Sequence, residues 1–198
     1  MRVMPRSGDW ITAGWAALVA PVTVSLHELG HYAVARWDGI PVIFGPASVT
    51  PAPGAETLSP SIPGLGEAMG PAVTLALTFG AIALIRRFGP ARPLVAAALL
   101  APGRMIVIYA FLLFAALQAI RGGPQPRPNF DEYNALSSLG IAPVPVLIVI
   151  AILLPIAWWL AIRAVPTGAR RRTVIAILAG GSAGLFLWVR LLGPALLG

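Results

Sequence analysis

The sequence predicts an all-α polytopic membrane protein with about five transmembrane helices. Three observations predict it. Hydrophobic residues make up 58% of the chain and charged residues 11%, with a mean hydropathy of +0.83. A soluble domain carries roughly 25% charged residues, so a chain this poor in charge lacks the polar surface to face water on all sides. Apolar runs of about 20 residues, the length that crosses a hydrocarbon core, recur along the chain. Finally, the net charge of +7 comes from arginine alone, for the chain has no lysine, and most arginines fall between apolar runs. Arg86, Arg87, Arg92 and Arg170 to Arg172 are examples. That placement suits the flanks of membrane helices better than a phosphate-binding groove. The expected partner is the lipid bilayer, with no nucleic acid. The expected localisation is integral and multi-pass, in a bacterial cell membrane. The absence of cysteine removes disulfides, thiolate metal sites and cysteine nucleophiles.

The first span is expected from about Trp10 to Trp37, with those two tryptophans as interfacial anchors. Arg2 and Arg6 ahead of an apolar stretch resemble a signal peptide. The small-residue site Leu18-Val19-Ala20 is followed by Pro21, however, so the segment is read as a retained helix. The second span begins near Leu65 and ends at Arg86-Arg87. The third lies between Arg92 and Arg121 and is interrupted by Pro102-Gly103-Arg104. A charge at mid-membrane is costly unless it faces a polar interior, so residues 92–103 are expected at the interface, with 105–120 spanning. One long tilted helix is the alternative. The fourth span, about Val144 to Ala164, holds Pro155, a kink signal. The fifth, about Thr173 to Leu192, carries Gly180 and Gly184 at a spacing that serves tight packing or dimerisation equally. Residues 38–64 are rich in proline and glycine but include the strand-like run Ile40 to Phe44, and residues 121–140 lead through Pro124, Pro126 and Pro128 to Asp131-Glu132. The whole chain, 1–198, reads as a single membrane domain.

The chemistry concentrates in His27-Glu28-Leu29-Gly30-His31 near the end of the first helix. Residues four apart share a helix face, so His27 and His31 can aim imidazole nitrogens at one metal ion. Glu28 stands about 100° further round, placed to reach a metal-activated water as general base. These are the only two histidines, and Glu28 is one of seven acidic residues. Ionisable groups inside an apolar helix are costly and functional by default. The alternative is a set of polar side chains bonding neighbouring helices. Two histidines are too few for a di-iron centre. Zn2+ is the expected ion, with iron or cobalt compatible with the same donors. A catalytic zinc takes three protein ligands and leaves a fourth position open, so the third ligand here must be a carboxylate or carbonyl. Helix topology places Asp131, Glu132 and Glu67 at the motif's end of the bundle, and all three stay open. Asp38 and Glu56 read as solvated loop residues. Gly30, between the histidines, allows another backbone or a substrate to approach.

Three stretches resemble the site-2 protease family of intramembrane zinc metalloproteases. They are His27 to Arg36 with the following Gly39-Ile40-Pro41-Val42, then Gly70-Pro71-Ala72-Val73-Thr74-Leu75, and then Pro126-Arg127-Pro128-Asn129-Phe130-Asp131. They resemble, in turn, the family's metal-binding helix, the glycine-proline start of its second core helix, and the approach to its Leu-Asp-Gly motif. Phe130 and Glu132 depart from that last motif. The resemblance covers roughly residues 20–140. It implies a catalytic three-helix core at 10–140 with two accessory helices at 141–198. It further implies metal ligation by His27, His31 and Asp131, with Glu28 as the catalytic base, and a re-entrant hairpin at 38–64 that pairs with an unwound substrate segment. Tyr133 and Asn134 are candidate donors to the tetrahedral intermediate. The implied substrate is a transmembrane or signal-peptide-like protein, selected by the membrane core or a partner because no PDZ-like insert is present.

The arginine distribution puts the start of the first helix in the cytoplasm and the metal site nearer the outer face, whereas the resemblance implies a site nearer the cytosol. Two other functions fit the same residues. One is a metal-binding, protease-like membrane protein acting as a non-catalytic binding or chaperone partner. The other is a zinc-dependent membrane hydrolase of non-peptide bonds.

Overall fold

The computed structural model describes residues 7–58, 60–124 and 128–197. Arg2, Arg6, Pro126 and Arg127, on which the sequence reading drew, lie outside the described residues. The described residues are mostly helical, with five helical stretches long and apolar enough to cross a membrane and one two-stranded sheet among them. Helix α1 covers Ser7–Trp37, followed by β1 (Val42–Phe44) and β2 (Val49–Pro51), then α2 (Leu65–Phe88). Helix α3 (Arg92–Leu100) passes through a 3-10 turn (Ala101–Ile106) into α4 (Val107–Ile120). The short α5 (Asp131–Ser138) precedes α6 (Pro143–Ala164) and α7 (Arg170–Leu187), which ends in a π-helical turn (Trp188–Leu192) and α8 (Gly193–Leu197).

Small and polar residues mark the buried face of α1. Thr12, Ala16, Ala20, Thr23, His27, Gly30 and Val34 recur at steps of three and four, the spacing of one helix face. Thr12 and Thr23 return their hydroxyls to the carbonyls of Gly8 and Ala20, both at 2.8 Å, which satisfies a buried polar group without a partner helix. The opposite side, with Leu18 and Val22 exposed, is apolar and suits lipid.

Helix α7 runs parallel to α1 and packs along it through glycine. A methyl on Gly180 would collide with the backbone at Ala13, and one on Gly184 with the backbone at Ala17. The pair thus serves packing within the chain, the close backbone approach that drives helix association in lipid. At the far end of α7 the Trp188 indole N–H donates to the Pro46 carbonyl at 2.8 Å, tying that end to the hairpin.

The expectation that residues 92–103 lie at the interface is corrected. Val95, Ala96 and Ala98 are fully buried in a core shared with Ala16, Ala81, Ala157, Ala161 and Ile177, so α3 is wedged among α1, α2, α6 and α7. An interfacial helix needs a polar face; α3 has alanines instead, and their small size is what lets it fit. Two irregularities inside the bundle are repaired by side chains. Pro155 leaves the Ala151 carbonyl without its helical donor, and the Tyr109 hydroxyl donates to it at 2.7 Å. Where α3 gives way to the 3-10 turn, the Trp158 N–H donates to the Leu99 carbonyl at 3.2 Å.

The hairpin is antiparallel, pairing Val42 with Pro51, Ile43 with Thr50 and Phe44 with Val49. It is anchored to α1 by an edge-to-face contact of Phe44 with Tyr32, 5.7 Å between ring centres. Asp38 is tied into the loop, accepting from the Ser61 backbone N–H at 3.2 Å and from its hydroxyl, while Glu56 is exposed.

Candidate metal centre

Helix α1 presents His27 and His31 one turn apart, and helix α2 sets their orientation. His31 Nδ1 lies 2.6 Å from the Gly66 carbonyl oxygen. A carbonyl only accepts, so this contact places the hydrogen on Nδ1 and leaves Nε2 of the neutral ring with its lone pair. His27 Nδ1 is 2.8 Å from Thr74 Oγ1, which accepts in the same way when Nε2 is a ligand. Such partners on the far nitrogen fix tautomer and ring direction at metal sites.

Two glycines make the approach possible. Gly30 on α1 lies against the α2 backbone, where a methyl would sit 2.7 Å from the Met69 carbonyl oxygen. Gly70 on α2 faces the imidazoles, where a methyl would come within 2.6 Å of His27 Nε2 and nearer still to His31. The close approach anticipated at Gly30 is therefore made by another helix backbone.

The carboxylate comes from the first residue of α5. Phe130, extended at φ −144°, leads into that helix, and its ring packs on Phe111 at 5.7 Å, fixing where the helix starts. Asp131 Oδ2 lies 3.1 Å from His27 Nε2 and 3.3 Å from His31 Nε2, and the two Nε2 atoms are 3.1 Å apart. These are a set of side chains that could hold a metal ion, with ligand atoms all within 4.8 Å of one another. The grouping takes in Asp131 but neither Glu132 nor Glu67. Burial pushes the Asp131 carboxyl up, but with protons on His27 and His31 Nε2 in place of a metal ion, the hydrogen bonds that they donate outweigh it and hold the group well below the usual carboxylate range. Its neighbour Glu132 is buried and is pushed up, chiefly by that burial, with the charge of Asp131 adding to it. On α2, Glu67 keeps a buried Oε2 with no hydrogen-bond partner among the described residues.

Glu28 is buried on the same helix and forms an ion pair with Arg104, whose Nη1 donates to Glu28 Oε1. This is the polar interior that a mid-span arginine requires. A lone arginine inside an apolar run was a visible signal, yet its partner lies on another helix. Tyr133 packs with Phe111 and Phe130, and Asn134 donates to Asn129 at 3.1 Å, so neither candidate donor lines the centre. Two cavities flank it. One, of about 380 Å³, is walled by His27, Arg104, Phe130, Asp131 and Glu132. The other, of about 370 Å³, runs from Glu28, His31, Arg104 and Asp131 to hairpin residues Val42 and Val49.

Two imidazoles and one carboxylate form a donor set for a first-row divalent ion, and the Gly66 carbonyl at His31 Nδ1 favours the tautomer that ligation needs. Comparison with known protein families, with curated proteins and with solved structures finds no match to this chain.

Proposed function

We propose that this chain is a zinc-dependent intramembrane endopeptidase that hydrolyses peptide bonds of transmembrane or signal-peptide-like proteins. The observation that carries the reading is the triangle of His27 Nε2, His31 Nε2 and Asp131 Oδ2, with edges of 3.1, 3.1 and 3.3 Å. Three acceptor atoms at that spacing need a metal ion or protons among them. Tetrahedral zinc with bonds of 2.0–2.1 Å has ligand-to-ligand edges of about 3.3 Å. The resemblance of the motifs to the site-2 protease family points the same way.

A bound zinc ion would supply an acidified water and polarise a carbonyl. His27, His31 and Asp131 would hold it. Glu28, buried beside them, accepts the proton that the water gives up as the water oxygen bonds to the scissile carbonyl carbon. Glu28 then delivers that proton to the amide nitrogen as the C–N bond breaks, so that one peptide bond and one water become a free carboxyl and a free amine. A membrane helix hides its peptide bonds, and it must be extended before a base can reach one. The hairpin offers strand edges to an extended segment, and its residues wall the same cavity as Glu28 and His31. This supports a re-entrant, substrate-pairing role for 38–64.

The Glu28–Arg104 ion pair also suits a second reading, a metal-binding membrane protein that acts as a non-catalytic partner. One experiment separates them. Purified wild type, His31→Ala, Asp131→Ala and Glu28→Gln are assayed for zinc per chain and for cleavage of a single-span reporter in liposomes. The hydrolase reading expects about one zinc per chain in wild type and Glu28→Gln, none in the other two, and cleavage by wild type alone. A metal-loaded wild type that cleaves no member of a reporter panel would leave the binding-partner reading, and a folded wild type that takes up no metal would sink both.

A further inference from the structure

Arg104 stands near the middle of the stretch Arg92–Ile120, where a charge is expensive. As a counter-ion for Glu28 it would need one contact and could be buried with it. It is not buried with it: the Arg104 side chain is 36% exposed, against 3% for Glu28. A guanidinium carries five N–H donors, and the contact with Glu28 Oε1, made through Nη1, is its one hydrogen bond among the described residues. The exposed remainder belongs to the walls of both cavities beside the metal-ligating triangle. The backbone beneath it is fixed. Pro102 and Met105, on either side in the 3-10 turn, are both fully buried.

We propose that Arg104 is a catalytic group that binds the scissile carbonyl oxygen and holds the negative charge that develops there. This deepens the peptidase reading and rests on it. As the water oxygen bonds to the carbonyl carbon, the C=O π pair moves onto the carbonyl oxygen. Arg104 keeps all its protons and pairs with that charge through donors not spent on Glu28. When the pair returns to re-form the carbonyl, the C–N bond breaks and the nitrogen leaves with the proton carried by Glu28. Donors held in place where charge develops, in a site shielded from water, are among the largest contributors to catalysis. Of the groups lining the two cavities, Glu28, Asp131, Glu132 and Glu67 carry negative charge when ionised and His27 and His31 are ligands, which leaves Arg104 as the cation available to an oxyanion.

The test uses zinc-loaded protein and two inhibitors with the same dipeptide portion. A phosphonamidate carries a charged oxygen that mimics the tetrahedral state, and a hydroxamate binds mainly by chelating the metal. Arg104→Gln is expected to keep its zinc, to bind the hydroxamate within about threefold of wild type, and to bind the phosphonamidate roughly 10- to 100-fold more weakly. Arg104→Lys should recover part of that loss. Because Arg104→Gln leaves Glu28 unpaired and can fail to fold, Glu28→Gln is also compared with Glu28→Gln/Arg104→Gln, where the same selective loss is expected. Equal changes for both inhibitors, or no change in either, would make Arg104 a structural counter-ion and overturn the proposal while leaving the peptidase reading intact. A zinc-loaded wild type that binds neither inhibitor would overturn both.

Discussion

Thr74 Oγ1 lies 2.8 Å from His27 Nδ1, across 47 positions of sequence, and so helix α2 holds a ring that helix α1 carries. Thr74→Val keeps the shape and removes the oxygen. Loss of such a partner at a metal site costs 10- to 100-fold in affinity. Zinc affinity, measured by competition with a chelator, is expected to fall by about that factor, with thermal stability nearly unchanged.

Gly70→Ala should abolish metal binding without touching a ligand. The added methyl would collide with both imidazoles at their Nε2 atoms. Zinc content should fall to background while the circular dichroism spectrum stays helical. Gly14→Ala is the control, since a methyl there meets nothing within 4 Å.

Glu67→Gln and Glu132→Gln should each retain zinc, because neither carboxylate belongs to the triangle. Glu67→Gln is expected to leave stability nearly unchanged, as the buried Oε2 has no hydrogen bond to lose among the described residues. A loss of metal in either variant would reassign the third ligand.

Gly180→Val or Gly184→Val should separate α7 from α1. Overpacking of this kind costs about 1–3 kcal/mol, read as a lower melting temperature in detergent. The oligomeric state should not change, because the two glycines face the chain's own α1.

Trp188→Phe removes the hydrogen bond to the Pro46 carbonyl and should cost about 1 kcal/mol. Protease nicking within 45–58 should become faster, and zinc content should hold.

Much of this arrangement was legible along the chain. The spacing of His27 and His31 fixed a shared helix face, and the apolar run beginning near Leu65 located the start of α2. Helix topology alone left the third carboxylate open, because Asp131, Glu132 and Glu67 all fall at the right end of the bundle, and it was the motif resemblance that pointed to Asp131. What separates them is the packing of Phe130 against Phe111, a contact between distant elements. Residues 92–103 misled because the cost of Arg104 pushed them toward the interface, whereas the pairing of Arg104 with Glu28 offsets that cost and small alanines let α3 be buried among the other helices. Arg104 announced its cost in the sequence but not its partner, since Glu28 lies 76 positions away. Gly180 and Gly184 showed that something approaches closely, and the structure identifies it as α1.

Helix α1 is gripped by backbone on two sides, at Gly30 by α2 and at Ala13 and Ala17 by α7. Backbone atoms have no rotamers with which to absorb a change. One face of the helix therefore tolerates almost no substitution, while Leu18 and Val22 on the other can be exchanged for any residue of similar hydrophobicity. Under mutation the two sides of a single helix should drift at very different speeds, so that overall sequence identity would fade long before the spacing of His27, Gly30 and His31 does.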